Sequence, residues 1–260
     1  GIGCSSRFPH YLTTYGFHGL HGRALPVATG VKLRRPDLHV FAVTGDGDCC
    51  SIGAGHWIHT VRYTPDIVAI MLDNGVCDHT KNQPSPTSPK GSRSNAQPRG
   101  AWLDAMNPIA TALGVANASF VAQTGDWVPD HIYETLRAAF HHRGFAFVRI
   151  LQRCPEFVGN MFEPWVHDPA RMLMLTHADG IRVSPALQKI YHNVEEHDPS
   201  NMNRAREVAS IDDPIPVGIL YRNPEVPCYE ELRQAGALRT AERIRGTLDK
   251  EFDKFTVWPQ

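Results

Sequence analysis

His39-Val-Phe-Ala-Val-Thr44, running into Gly45-Asp46-Gly47-Asp48, is the stretch that decides the fold. Its first part is a short, unbroken apolar run stopped by a glycine, which predicts a strand buried on both faces. Ser51 to Tyr63 then sets Ile52, Ala54, Trp57, Ile58 and Val61 at helical spacing, with Ser51 as the expected N-cap. Ile67 to Leu72 is a second apolar run of the first kind. Strand, helix and strand in such close succession make a βαβ unit, so the two strands should be parallel with a right-handed crossover.

Working outward, Asn74 to Gly100 carries Pro84, Pro86, Pro89 and Pro98 among many Ser, Thr and Asn, without periodicity. A loop of that length is uncommon in a compact domain and is more often functional than idle. Helices expected over Asn107–Leu113 and Pro129–His142 alternate with strands over Ala118–Ala122 and Phe145–Leu151. That alternation predicts an α/β fold, a mostly parallel sheet with helices on both faces. Beyond Cys154 the pattern degrades, and Pro155–Arg182 reads as loop residues with aromatics and histidines. Ser184–Asn193 predicts a short helix, and Tyr229–Phe255 a charged, amphipathic surface helix. Pro214–Leu220 predicts an edge strand, because its two prolines argue against a central position.

Composition narrows the function. Of 260 residues, 42% are hydrophobic and 20% charged, ordinary for a globular chain. The formal net charge of −1 gives no electrostatic footprint for nucleic acid or an anionic membrane. The longest aliphatic run, Ile67 to Leu72, falls far short of the ~20 residues of a membrane span, and no secretory h-region is read. The six cysteines, Cys4, Cys49, Cys50, Cys77, Cys154 and Cys228, contain no C-x-x-C pair, so reduced thiols and a cytoplasmic location are expected.

The chemistry centres on the turn that closes the first strand. In a parallel sheet that turn and Asn74, just after the next strand, lie side by side at the carboxyl edge, where open α/β sheets bind ligands. Glycines let the backbone approach a ligand closely, and the following helix start offers N–H groups to an anion. One carboxylate plus one amide oxygen suits Mg²⁺, which takes hard oxygen ligands completed by phosphates and water. Gly-Asp-Gly alone is also a frequent turn, and Asn after a strand is ordinary loop chemistry. The pairing across a βαβ unit is what separates the two readings.

Gly45-Asp-Gly47 followed by Asn74 resembles the thiamine diphosphate motif. Longer stretches are similar to the β subunits of the 2-oxoacid:ferredoxin oxidoreductases: Gly45-Asp-Gly-Asp-Cys-Cys-Ser-Ile-Gly-Ala-Gly-His-Trp-Ile-His59, Met71-Leu-Asp-Asn74 and Thr80-Lys-Asn-Gln-Pro-Ser-Pro-Thr-Ser88. Gly1-Ile-Gly-Cys-Ser-Ser-Arg-Phe-Pro-His10 and Gly19-Leu-His-Gly-Arg-Ala-Leu-Pro-Val-Ala-Thr-Gly30 agree, as do Gly218-Ile-Leu-Tyr-Arg-Asn223 and Tyr229-Glu-Glu-Leu-Arg233. The likeness covers nearly the whole chain and lies nearest to members acting on 2-oxoglutarate.

The resemblance implies oxidative decarboxylation of a 2-oxoacid with coenzyme A, or the reverse carboxylation, with electrons passing through a [4Fe–4S] cluster to ferredoxin. It implies a thiamine diphosphate-binding domain over residues 1–153 and a C-terminal extension over 154–260 that packs on it and on a partner, an α or fused α/γ subunit, in a heterotetramer. Asp46, Asn74 and the Val76 carbonyl would hold Mg²⁺. Gly45, Gly47 and Asp48 would approach the diphosphate, and Ile2, Gly3, Cys4, Ser5 and His21 would line the cofactor. Arg7 and Lys81 would face the substrate carboxylates. Cys4 and Cys154 would be two of four cluster ligands, the others lying in a C-x-x-C before Gly1. No catalytic side chain is identifiable here, since the glutamate that activates the cofactor is expected from the partner.

One departure stands out. Cys77-Asp78-His79 replaces the family's Tyr-Gly-Leu, so Asp78 and His79 occupy positions that contact the diphosphate. A carboxylate there faces a polyanion, which weakens binding unless it points away or Mg²⁺ offsets it. A non-oxidative thiamine diphosphate-dependent decarboxylase or lyase, a degenerate scaffold subunit and a phosphate-binding regulatory module remain the competing readings.

Overall fold

The two apolar runs around the Gly45–Asp48 turn become neighbouring parallel strands. β1 (Phe41–Gly45) pairs with β2 (Val68–Asp73) from Phe41↔Val68 to Gly45↔Leu72, and the helix Ala54–Tyr63 joins them. The structure is a computed structural model describing residues 1–77, 81–181, 183–234 and 241–256. The remaining strands are β3 (Val76–Cys77), β4 (Gln83–Pro84), β5 (Phe120–Gly125), β6 (Ala146–Leu151), β7 (Met172–Thr176), β8 (Val194–Glu196) and β9 (Ile215–Arg222). Seven of these form one sheet in the order β1-β2-β6-β5-β9-β7-β8, while β3 and β4 make a small hairpin. All pairings in the large sheet are parallel except β5 with β9.

Both sheet faces are covered, as the continuous burial of β2 and β5 requires. On one side Trp57, Met71, Leu113 and Phe147 pack with the helices Ala54–Tyr63, Pro108–Leu113 and Met202–Ala209. Trp57 is fully buried, its ring 5.2 Å from that of Phe147; truncating such an aromatic costs about 3–5 kcal/mol. On the other side Ile70, Phe120 and Val148 pack with Ala139 of the helix Pro129–His141. No helix of the described residues is long and apolar enough to cross a membrane.

Three expectations are corrected. Ser51 is not an N-cap: the chain leaves β1 in a wide helical turn, Asp48–Ile52, closed by Gly53 N–H to the Asp48 carbonyl at 3.0 Å, and the α-helix starts after Gly53. The start of that helical stretch therefore lies at Gly47, nearer the ligand rim. Second, the C-terminal part is not irregular. β7, β8 and β9 extend the same sheet, and the helix Met202–Ala209 packs in its core.

Third, β9 is central, lying between β5 and β7. Its prolines are tolerated because Pro214 precedes the strand and the β5 ladder begins at Gly218, past Pro216. Where that ladder ends, the Gln123 side chain donates to the Pro216 carbonyl at 2.8 Å. The tail forms helices Tyr229–Gln234 and Ala241–Asp253, and the Ser184 side chain caps a single turn, Pro185–Gln188.

Candidate functional site

The parallel register that sets Gly45 beside Leu72 brings Asp46 and Asn74 to one rim of the sheet. There they share a cavity with three strips of chain: Ile2 to Ser5, Gly45 to Asp48, and Val76 with Cys77. The wall also takes in Gln152, just past β6, which the sequence did not single out. Gly47 has to be glycine: a Cβ there would sit 2.7 Å from the Cys77 Cβ and 3.2 Å from its Cα. Ser5 is buried and lines this cavity, and its hydroxyl has no hydrogen-bond partner among the described residues. An unsatisfied buried hydroxyl in a concave site is a cost that a ligand oxygen can relieve.

Asp46 is 2% exposed and lies near a second buried carboxylate, Asp73. Burial first and the Asp73 charge second push its pKa up to about 7. Asp73 is itself paired with Arg149, whose Nε donates at 2.6 Å, and Arg149 reaches Gln123 Oε1 at 2.9 Å. Thr87, from the proline-rich loop, places its hydroxyl 2.8 Å from both Asp46 Oδ2 and Asp73 Oδ1. A buried carboxylate held beside another of like charge is a site for a cation. Asn74 Oδ1 accepts the Val76 N–H at 3.2 Å, which fixes the amide and keeps a second lone pair available.

The donor set therefore fits Mg²⁺ carried by a diphosphate: one carboxylate, one amide oxygen and one main-chain carbonyl, with phosphates completing the shell. Among the described residues no three His, Cys, Asp or Glu side chains are grouped to hold a metal. That excludes a preformed protein cage but not this half-shell. The same observation bears on the iron–sulfur expectation. Cys4 lines the cavity and Cys154 lies buried two residues beyond Gln152, yet two thiolates do not make the four-cysteine set of a [4Fe–4S] cluster. The described residues do not by themselves fit that group.

Asp48 lines the cavity and is also tied to the chain around it. Its carboxylate accepts the Gly22 N–H at 2.5 Å and the Thr44 hydroxyl at 2.6 Å, and lies 2.7 Å from His21 Nδ1. It is a clamp that ties the segment around Gly22 to the end of β1. His21 is thereby held outside the cavity wall, and Arg7 and Lys81 are exposed residues that do not line it either. Asp78 and His79 lie outside the described residues. Thr87, Asp73 and Arg149 were missed by sequence reasoning; the only signal was the Ser/Thr content of a loop already suspected of function.

Residues 1–150 match the family described as thiamine pyrophosphate enzyme, C-terminal TPP binding domain, and residues 187–236 match the family of the C terminus of the pyruvate ferredoxin oxidoreductase beta subunit. Over 239 residues the chain is 38% identical to the 2-oxoacid:ferredoxin oxidoreductase subunit beta of a Sulfolobus species, covering 91% of this chain and 75% of that one. The chain belongs to the β subunits of the 2-oxoacid:ferredoxin oxidoreductases. This β subunit is thus part of an enzyme, with the α/β fold of its family. It is also 45% identical over 183 residues to 2-oxoglutarate oxidoreductase subunit KorB of Mycobacterium tuberculosis, covering 70% of this chain and 49% of that relative. It therefore spans about half the length of that relative. A solved structure, 2-oxoglutarate:ferredoxin oxidoreductase from Magnetococcus marinus with 2-oxoglutarate, coenzyme A and succinyl-CoA bound, matches with a TM-score of 0.76 at 32% identity, covering 95% of this chain and 80% of that one.

Proposed function

We propose that this β subunit binds thiamine diphosphate with Mg²⁺ and, with an α or fused α/γ subunit in a cytoplasmic heterotetramer, oxidatively decarboxylates 2-oxoglutarate with coenzyme A, or runs the reverse carboxylation. The observation that carries the reading is the convergence of Asp46 and Asn74 on one cavity, beside the unpartnered Ser5 hydroxyl. The bound ligands of the Magnetococcus marinus structure and the names of the relatives support 2-oxoglutarate over other 2-oxoacids. Those names are oxidoreductase names, which disfavours a non-oxidative lyase, and the intact cation half-shell disfavours a degenerate scaffold.

In this reading Asp46 and Asn74 hold the cation with the Val76 carbonyl, and Ser5 donates to the bound anion. The glycine at 47 lets the main chain approach the diphosphate, and Asp48 ties the segment around Gly22 to the end of β1 through Gly22 and Thr44. The cofactor, when bound, supplies the electron sink for breaking the bond to the departing carboxylate. Arg7 and Lys81 are the cations proposed to meet the two carboxylates of the substrate. A [4Fe–4S] cluster passing electrons to ferredoxin is proposed from the family, with Cys4 and Cys154 supplying two ligands and the rest coming from outside the described residues.

The test is 2-oxoglutarate- and coenzyme A-dependent ferredoxin reduction by the assembled complex, with pyruvate as competitor. Lys81→Ala should lower the preference for 2-oxoglutarate over pyruvate, and an unchanged ratio removes Lys81 from the substrate site. An active complex free of iron and acid-labile sulfide would restore the non-oxidative reading.

A further inference from the structure

We propose that Thr87 is the positioning residue of the cation site: its hydroxyl, shared between Asp46 and Asp73, holds the Asp46 carboxylate in the orientation that binds the divalent ion of the diphosphate. This rests on the reading of Asp46 as a cation ligand. Thr87 is 2% exposed and its Oγ1 stands 2.8 Å from an oxygen of each carboxylate. One hydroxyl carries one proton, so it donates to one carboxylate at a time, and its oxygen stands between two groups that would otherwise repel at close range without screening water. Asp73 cannot swing away to relieve that repulsion, because Arg149 grips its other oxygen and Gly75 N–H donates to the first at 3.2 Å.

Thr87 is fixed just as firmly. The Ser85 hydroxyl lies 3.2 Å from its own. The Ser88 hydroxyl donates to the Gly75 carbonyl at 2.6 Å and accepts from Ser85 N–H at 2.8 Å. Met106 N–H donates to the Pro86 carbonyl at 2.8 Å. The loop segment 85–88 is thus pinned to the end of β2, where the rest of the cation half-shell sits. Partners of this kind orient a ligating side chain, and losing one typically weakens metal binding about 10–100-fold.

The experiment uses the assembled complex with thiamine diphosphate present, and follows Mn²⁺ binding by electron paramagnetic resonance as a visible substitute for Mg²⁺. Thr87→Val keeps the shape and removes the hydroxyl; it should raise the Mn²⁺ half-saturation about 10–100-fold. At saturating Mn²⁺ its KM for 2-oxoglutarate should match wild type. Thr87→Ser restores the hydroxyl and should return affinity to within about threefold of wild type. Thr87→Val with wild-type affinity overturns the proposal, as does Thr87→Ser binding as weakly as Thr87→Val. If Thr87→Val does not fold, Thr87→Ala replaces it, and an affinity loss beyond threefold or its absence decides in the same way. Failure of the wild-type complex itself to take up Mn²⁺ saturably would instead remove the cation-site reading on which the inference stands.

Discussion

Asp46 and Asp48 are two residues apart, equally buried, and do opposite things. Asp48 is satisfied by Gly22, Thr44 and His21, whereas Asp46 is crowded by Asp73 and pushed up to about 7. Asp48→Ala should therefore cost about 2–4 kcal/mol in urea unfolding, since it strands a buried N–H and a buried hydroxyl. Asp46→Asn should leave the cofactor-free protein as stable as wild type or more so, because it removes a like-charge neighbour, while Mg²⁺-dependent thiamine diphosphate binding drops at least tenfold by calorimetry. A variant that lost both together would mean that Asp46 is structural. Asp46 and Asn74 were legible in the sequence because a βαβ unit fixes which strand ends meet. The split between Asp46 and Asp48 was not, for it depends on what the distant segment around Gly22 does. Thr87 was not legible either: a hydroxyl in an aperiodic loop carries no spacing signal.

At the scale of elements, the strands read best were β2 and β6, whose burial is nearly continuous, and β1, an edge strand that is buried only at alternate positions and not on both faces as expected. β9 was placed at the edge because proline content was weighed and register was not. Its central position makes Gly218 demanding: φ is +131°, and a Cβ there would come 2.9 Å from the Leu175 carbonyl oxygen of β7. Gly218→Ala should lower the unfolding free energy by about 2–4 kcal/mol, through backbone strain plus a forced separation of β7 and β9. An edge strand could rotate outward and absorb the methyl, so a loss below about 0.5 kcal/mol would contradict the central pairing. β7 and β8 escaped sequence reading for a related reason. Met172 to Thr176 is a short apolar run like β2, but it sits among aromatics and histidines that disguise its boundaries.

Over the whole molecule, acid should act through histidines that do not line the cavity. His131 and His142 are buried in the layer that covers the β5–β6 side of the sheet, and burial pushes each down to about 4; at His142 the Arg222 charge adds to burial. His131 keeps its ring within 2.8 Å of the Thr124 hydroxyl at Nδ1, an arrangement that suits the neutral form. In the unfolded chain both titrate near the ordinary value of about 6.5. Between 6.5 and 4 the unfolded state therefore holds more protons, so stability is full above 6.5 and falls as the pH drops through that window. The two together should cost on the order of a few kcal/mol by pH 4. Asp46 has the opposite sign in the cofactor-free protein, since its raised pKa favours folding at the acid end. Differences between variants subtract that term: His131→Gln and His142→Gln should each flatten the decline in melting temperature between pH 6.5 and 4 relative to wild type. Parallel curves for wild type and both variants would mean that the buried rings take up protons without unfolding, and that the covering layer opens locally rather than with the sheet.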